Sequence, residues 1–557
     1  MANEYGSYAN ALTLAAREQT NFNPDSQSWT YTNGNLTFEH TASGGDAMFP
    51  FSQPMQPGSK YHFEFTTNSF HSSVYAAFAF FLMPVVEYQQ TSNPIVNSGS
   101  KTFVATLSKS GGSGSNSAKF NTSSLTAPSN RPTTGSRITI EVDMSTVGST
   151  TVRLYFNGSL DTTWSSLAFT DTPYYVGTLT GTETDRNGVF SVNFGQTAFS
   201  DTVTDGYIRL NTASMSEPTI INPDDHFHSV VVDHDGSSTA STCTFNLDTY
   251  EWLAIIKNTT GAVEKWYWID SLNGVTKYLS SDSSATQTTD SNVMTVSGNQ
   301  FTLGSTLGAK NYLVEIHKAG LASAAASNED GSINTTATSF NATSGFTMGV
   351  FEGTATNATI GTGLSTAVEF LAVKSNDAGE PWRNWHKDLT DGTYYLKFDN
   401  TTAQSVEAAT WNSTAPAATV FSVGTVANVN GNSQTVTYYG WHGVDGYSVF
   451  GKYEGNSAAD GPMITTNFSA GSSFFKPIDA TDAWSLYPPV LSAGNPDNRL
   501  AFNNTALPAT DRPLDTLSNG LKVRTSNGVT NPSSTVIYGS WGGRPMTDGS
   551  TNQGRAR

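Results

Sequence analysis

Short runs of apolar residues alternate with polar ones along most of this chain, a period of two that sends successive side chains to opposite faces of an extended strand. Lys60-Tyr61-His62-Phe63-Glu64-Phe65 and Arg137-Ile138-Thr139-Ile140-Glu141-Val142-Asp143 carry it most clearly. Gly, Asn, Pro and Ser stand between the runs and punctuate the strands with turns. From about residue 29 to residue 199 the pattern predicts a two-sheet sandwich. A hairpin is expected to end in Tyr155-Phe156-Asn157-Gly158, because Asn-Gly readily takes positive φ in a tight turn. Asn193-Phe194-Gly195 is expected to close the sheet. Residues 7–17 (SYANALTLAAR) break the pattern: an N-cap candidate precedes good helix formers, in a segment too short to be stable without a partner surface. It reads equally as an attachment or oligomerisation arm and as a fraying end.

The second half of the chain repeats itself. Residues 345–441 and 446–541 both open with a strand ending in Glu-Gly (Glu352-Gly353, Glu454-Gly455). YLKFDNTTA (395–403) parallels RLAFNNTAL (499–507), and VTYYGW (436–441) parallels VIYGSW (536–541). A more diverged copy precedes them: WLAIIK (252–257) parallels FLAVK (370–374), Trp266 parallels Trp382, KYLSS (277–281) parallels YYLKF (394–398), and FTLG (301–304) parallels FSVG (421–424). Three related β-sandwich modules are predicted, each with its own core and touching its neighbours in a row. AGLASAAASNEDGS (319–332) reads as the linker between the first two.

Composition narrows the function. Lys and Arg number 28 against 46 Asp and Glu, a net charge of -18 that repels nucleic acid and anionic lipid. Cys243 is the single cysteine, so neither an intramolecular disulfide nor a cysteine-based zinc site is available. The amino-terminal residues lack the basic start and apolar core of a secretory signal, and no stretch is apolar for the length of a membrane span. A soluble protein, kept in the cytosol or assembled there into something released by lysis, is the expectation.

Catalytic motifs are missing: there is no Gly-x-Ser-x-Gly elbow, no P-loop frame and no His-Glu-x-x-His. DDHFHSVVVDHDG (224–236) crowds Asp225, His226, His228, Asp233, His234 and Asp235 into one stretch. On a strand the two histidines would share a face, as chelation needs, but the spacing matches no established ligand set, and an exposed strand with an Asp-Gly turn is the plainer reading. No carboxylate pair stands out for glycoside hydrolysis. Aromatic residues give a stronger signal. Trp266, Tyr267 and Trp268 in the first copy, Trp382 and Trp385 in the second, and Trp484 with Tyr487 in the third fall in corresponding stretches. Such rings can stack on sugars; positions repeated in every copy are also what a fold needs for its core. Trp266, Trp268, Trp382, Trp385 and Trp484 are therefore ligand-contact candidates with core packing as the competing role.

GSKYHFEF (58–65), RITIEVDMSTVGSTTVRLYFNGSLDTT (137–163), PYYVGTL (173–179) and VNFGQTAF (192–199) resemble, in order and spacing, successive strands of a SPRY-type, concanavalin-like domain. GYIRLNTASMSEPTIINPDDHF (206–227) resembles the linker that follows such domains in marine phage proteins, and the three-copy region resembles tail-fibre-like modules of cyanophage and other marine phage virion proteins. GGRPMTDGSTNQGRAR (542–557) resembles their short basic ends. The resemblance implies an all-β layout: arm 1–26, SPRY-like sandwich 27–200, linker and first module 201–320, linker and second module 321–443, third module 444–542, flexible basic tail 543–557. It implies a non-enzymatic virion protein, assembled in the host cytoplasm: a tail fibre, head appendage or capsid decoration that binds through loops at one end of the sandwich. Other virion proteins, further copies of itself and a host-surface glycan or protein receptor are the implied partners, with no cofactor, catalytic residue or metal. A phage glycan depolymerase and a purely architectural decoration protein are the alternatives.

Overall fold

The structure is a computed structural model that describes residues 219–545 throughout and, before them, residues 29–32, 37–40, 48–50, 55, 57–70, 76–84, 101–121, 123–172, 174–179, 188–195 and 197–209. The expected helical arm at 7–17 and the tail beyond residue 545 lie outside the described residues. The chain divides into two compact units, one reaching Glu217 and the other beginning at Pro218. Both are built of strands; helix among the described residues is limited to short turns such as Ala427–Asn430 and Pro489–Leu491.

The first unit is a sandwich of two sheets. An eight-stranded sheet runs Trp29–Thr32, Thr37–His40, Gly188–Asn193, Lys60–Phe70, Arg137–Asp143, Thr150–Phe156, Ser159–Leu167, and Ile208–Arg209 adds parallel to the start of Lys60–Phe70. A six-stranded sheet faces it, with Ala77–Pro84 and Phe103–Ser108 at its middle. Tyr61, Phe63, Phe65, Ile138, Ile140, Val142, Val152 and Leu154 from the first sheet meet Phe78, Phe80, Leu82, Phe103, Ala105 and Leu107 from the second in one core. The hairpin forms where expected: Phe156 pairs with Ser159, and Asn157 and Gly158 both have positive φ, 49° and 85°. Asn193-Phe194-Gly195 does not close the sheet. Its strand is interior, between Thr37–His40 and Lys60–Phe70, and the chain beyond it turns back across the sheet.

The second unit contains three copies of one sheet. Each has the same spatial order, a first strand, a fourth, a second and a short third: Phe227–His234, Lys310–Leu321, Tyr250–Asn258, Tyr267–Asp270; then Phe346–Glu352, Thr435–Trp441, Phe370–Ser375, Arg383–His386; then Val449–Glu454, Thr535–Trp541, Ser472–Pro477, Ser485–Tyr487. The pairings Leu253 with His317, Phe370 with Trp441 and Ser472 with Trp541 fix the equivalent positions. In the second copy Thr335–Asn341 adds an outer strand, and the stretch expected to be a linker leads to it from the end of Lys310–Leu321.

The expectation of copies that merely touch in a row is corrected: the first and third keep cores of their own, and all three share a further one. Leu253, Ile255 and Leu313 of the first copy, Phe370, Ala372 and Trp441 of the second, and Phe450, Phe474 and Trp541 of the third belong to a single core. The cause is burial on both faces. Ala254, Ile256, Val314 and Ile316 point away from that shared core into an outer core of the first copy, and Tyr453, Phe475 and Tyr538 do the same in the third. The second strands are thus covered in two directions, which one isolated sandwich cannot do with a single sheet pair. His317, Trp441 and Trp541, one equivalent residue from each copy, meet ring to ring at 5.5, 5.2 and 5.9 Å, so the copies close around a pseudo-three-fold axis. The tail reading is corrected at its start too: Arg544–Pro545 pairs with Phe468–Ser469, and Arg544 reaches Asp224 at 3.2 Å.

Candidate functional site

Two concentrations of polar chemistry emerge, one in each unit. In the first, the alternation that buries Tyr61, Phe63 and Phe65 turns His62 and Glu64 to the opposite face, where Thr139 and Glu141 arrive from the next strand and Arg153 and Tyr155 from the one after. An outer face would ordinarily be wet, yet His62, Glu64 and Glu141 are only 0%, 3% and 1% exposed. Residues 197–209 cross over them as a strap. Glu64 accepts the backbone N–H groups of Ser200 (3.1 Å) and Asp201 (2.7 Å), and Glu141 accepts that of Thr204 (3.2 Å) and the Tyr155 hydroxyl (3.0 Å). Arg137 and Thr139 bond Asp201 of the strap, and Arg153 donates to the Tyr207 hydroxyl at 2.5 Å.

His62 sits between the two acids, Nδ1 3.3 Å from Glu141 and Nε2 4.0 Å from Glu64. Burial alone would lower its pKa, but the bonds and charges of Glu141 and Glu64 outweigh burial and raise it. Burial pushes both carboxylates up, and their bonds to His62 and the strap prevail and bring them below the usual range.

In the second unit the polar groups lie between copies. Trp266 Nε1 donates to the carbonyls of Ala501 (3.0 Å) and Asn504 (3.1 Å) in the third copy; Trp484 donates to Lys397 O in the second (2.7 Å); Trp382 donates to Ser280 O in the first (2.8 Å). Ser280, Lys397 and Ala501 each follow an equivalent leucine that bridges the short third strand, so the three bonds form one closed ring. Near the ends of the second strands lie three buried lysines, two of which support the same seams. Lys257 Nζ donates to Thr505 O (3.1 Å) and Lys476 Nζ to Thr401 O (3.3 Å), each in the next copy, while Lys374 stays with Ser375 O (2.8 Å). Burial lowers all three pKa values to about 8.

The sequence candidates fall here. Trp266, Trp268, Trp382, Trp385 and Trp484 are all buried in the shared core; Trp268 packs 5.4 Å from Trp382, 5.5 Å from Phe398 and 5.9 Å from Phe502. None presents a face to a ligand in this structure, and their repetition is the repetition of the seam. The 224–236 stretch does not gather. His226 bonds Asn341 (2.9 Å), His228 faces Phe301, buried His234 lies between Thr239 (3.0 Å) and Leu307 O (3.1 Å), and Asp235 caps Ser237 and Ser238. Among the described residues no group of three or more His, Cys, Asp or Glu is placed to hold a metal.

Sequence reasoning passed over His62, Glu64, Glu141 and the three lysines. The lysines had a visible signal, since WLAIIK, FLAVK and SSFFK (472–476) end alike. The acids and histidine had none, because alternation alone assigns them to solvent.

The chain is similar in part to solved β-sandwich structures: a human SPRY domain (12% identity, 31% of this chain and 99% of that one, TM-score 0.23), the SPRY domain of human HERC1 (14%, 32% and 99%, 0.24) and the carbohydrate recognition domain of Emp46p in its potassium-bound form (12%, 34% and 97%, 0.24). No curated protein matches the sequence. The model of the family described as a domain of unknown function, DUF7483, matches residues 222–545, which is more than half of the chain and takes in all three copies of the repeated sheet, and the chain belongs to that family.

Proposed function

We propose that the protein is a non-catalytic structural and adhesive component on the exterior of a tailed-phage particle, where modest contacts of exposed loops with a host-surface glycan or protein are multiplied by copy number. The virion setting rests on the sequence resemblance of the SPRY-like segments and the three-copy region. One observation carries the non-catalytic part: among the described residues, the two glutamates of the first unit's covered face and the indoles and lysines of the seams are buried and engaged with the chain's own backbone. Glu64 and Glu141 hold strap amides, and the tryptophans and lysines of the seams hold carbonyls. A general acid or base needs a free position within hydrogen-bond reach of a substrate.

The test has two arms. Antibody raised against residues 219–545 should label the outside of intact particles, and purified protein in excess should slow adsorption of phage to its host. Release of reducing ends from host polysaccharide would replace this reading with a depolymerase. Particles that label but adsorb at an unchanged rate would make the protein an architectural decoration.

A further inference from the structure

We infer that residues 197–209 form a releasable strap: a protonated His62 keeps Glu64 and Glu141 in place to grip the strap's amides, and loss of that proton lets the strap lift from the sheet. The strap is anchored at its two ends by ring packing and by backbone pairing. Phe199 packs on the His62 ring at 4.5 Å, and Ile208 pairs with Tyr61 and Arg209 with His62 as a short parallel strand. Between these anchors the hold is polar: Ser200, Asp201 and Thr204 give their amides to the two glutamates, and Tyr207 meets Arg153.

The charges on this face balance only with His62 protonated. Glu64, Glu141 and Asp201 carry three negative charges; Arg137, paired with Asp201, and Arg153, 3.8 Å from Glu141, supply two positive ones; His62 supplies the third. Lys60 and Asp143 at the margin neutralise each other at 2.9 Å, the charges of the exposed Asp205 and Arg209 of the strap cancel, and the Tyr155 and Tyr207 hydroxyls are raised, by burial first, and stay neutral. Deprotonation therefore leaves one uncompensated carboxylate charge in a water-poor seam, and Nε2 of His62 has no hydrogen-bond partner to soften the change. The cheapest relief is water, admitted by lifting the strap.

The direction with pH follows. The pKa of His62 is raised, so its contribution is complete below about 6.5 and is lost as pH climbs through the higher folded value. Those of Glu64 and Glu141 are lowered, so theirs holds above about 4.5 and fails as pH falls through the lower folded values. The strap is tightest between the two limits and opens on the alkaline side through His62.

Hydrogen exchange on the full chain, corrected for intrinsic base catalysis, reads this directly at the amides of Ser200, Asp201 and Thr204. Protection is expected to fall at least tenfold between pH 6 and pH 9, in step with the His62 ring titration followed by NMR, while the amide of Ile140 in the sheet beneath keeps its protection. His62→Gln should show weak strap protection with no step. Constant protection across that range, a His62 ring that keeps its proton to pH 9, or a step that persists in His62→Gln would each overturn the inference. The core-facing Phe63→Leu variant, expected to keep the step, separates strap release from general loosening.

Discussion

The two units solve the burial of polar groups in opposite ways. In the first, two sheets enclose one apolar core, and His62, Glu64, Glu141, Arg137 and Arg153 are turned to the opposite face, where the strap covers charges that sum to nothing. In the second, three sheets share a core and have too little outer face, so indole N–H groups, ammoniums and carboxyls end up between the copies. A buried donor is tolerable when an acceptor is supplied, and here each copy supplies it to its neighbour. The ring of tryptophan bonds therefore fixes which copy sits beside which, a role that apolar contacts between similar sheets would fill less selectively. The cost is a set of interior groups without partners. Both oxygens of the Glu315 carboxyl, beside the Ser229 and Ser472 hydroxyls, lack a hydrogen bond, and burial pushes its pKa up to about 8.

The sharpest test of this contrast is Trp484→Ala. It empties a large volume in the shared core and orphans the Lys397 carbonyl. The expected loss is about 3–5 kcal/mol, confined to the second unit. Denaturant unfolding of the full chain, followed by hydrogen exchange at amides of each unit, should show the second unit alone destabilised. Trp484→Phe keeps most of the ring and removes the bond, for a loss of about 1–2 kcal/mol beyond the change in volume. If Trp484→Ala lowers both units equally, they unfold as one body and the contrast fails.

A second test uses pH. Unfolded Glu315 gives up its proton near 4.5 while the folded carboxyl keeps it to about 8, so this group's contribution to the second unit falls as pH rises through that interval, by up to about 1.4 kcal/mol per unit of pH. Lys257, Lys374 and Lys476 act in the opposite sense above it. Folded, they release protons near 8, and unfolded only near 10.5, so stability is regained over that range. His226, His317 and His386, lowered by burial to about 4, 3 and 3, add stability as pH rises to 6.5 and are neutral above it, so the second unit's dip near pH 8 should stand out between pH 6.5 and 10.5. Glu315→Gln should flatten the limb below pH 8 and leave the limb above it, a gain of a few kcal/mol at pH 8 and little at pH 4. An unchanged acid limb in the variant would move the effect to other buried acids, of which Asp270 is the first to examine.

How much of this was visible beforehand depends on the range of the interaction. Strands and turns were legible, because alternation and Asn-Gly act within a few residues, as at 137–143 and 155–158. The three copies were legible as repeated words. Their closure was not: the bond from Trp266 to Ala501 joins positions 235 apart, and no local pattern encodes it. WLAIIK did contain the clue, since an unbroken apolar run means burial on both faces. His226 precedes the strand, following the turn Pro223–Asp225, so it and His228 do not share a strand face, and the geometry that chelation needed is not formed. At His62 and Glu64 the alternation was right about the face and silent about the strap, whose Ser, Thr and Asp residues read as linker.

The smallest effect compares one turn from each unit. Asn157-Gly158 has two positive φ values, whereas Gly298, heading the loop between Ser297 and its partner Gln300, is a single positive-φ position at 60°. Alanine at either site takes on the strain of a left-handed backbone, about 1 kcal/mol. A Cβ at 298 would meet nothing within 4 Å, but one at 158 would lie 3.0 Å from Asp201 Oδ1 and 3.4 Å from Arg137 Nη2, the pair that fastens the strap. Gly298→Ala should therefore lower the second unit's unfolding midpoint by the backbone cost alone. Gly158→Ala should lower the first unit's by that amount and also raise hydrogen exchange at Asp201. Equal midpoint shifts with no change at Asp201 would mean that the ion pair yields freely, and that the strap is held by the glutamates without help from Arg137.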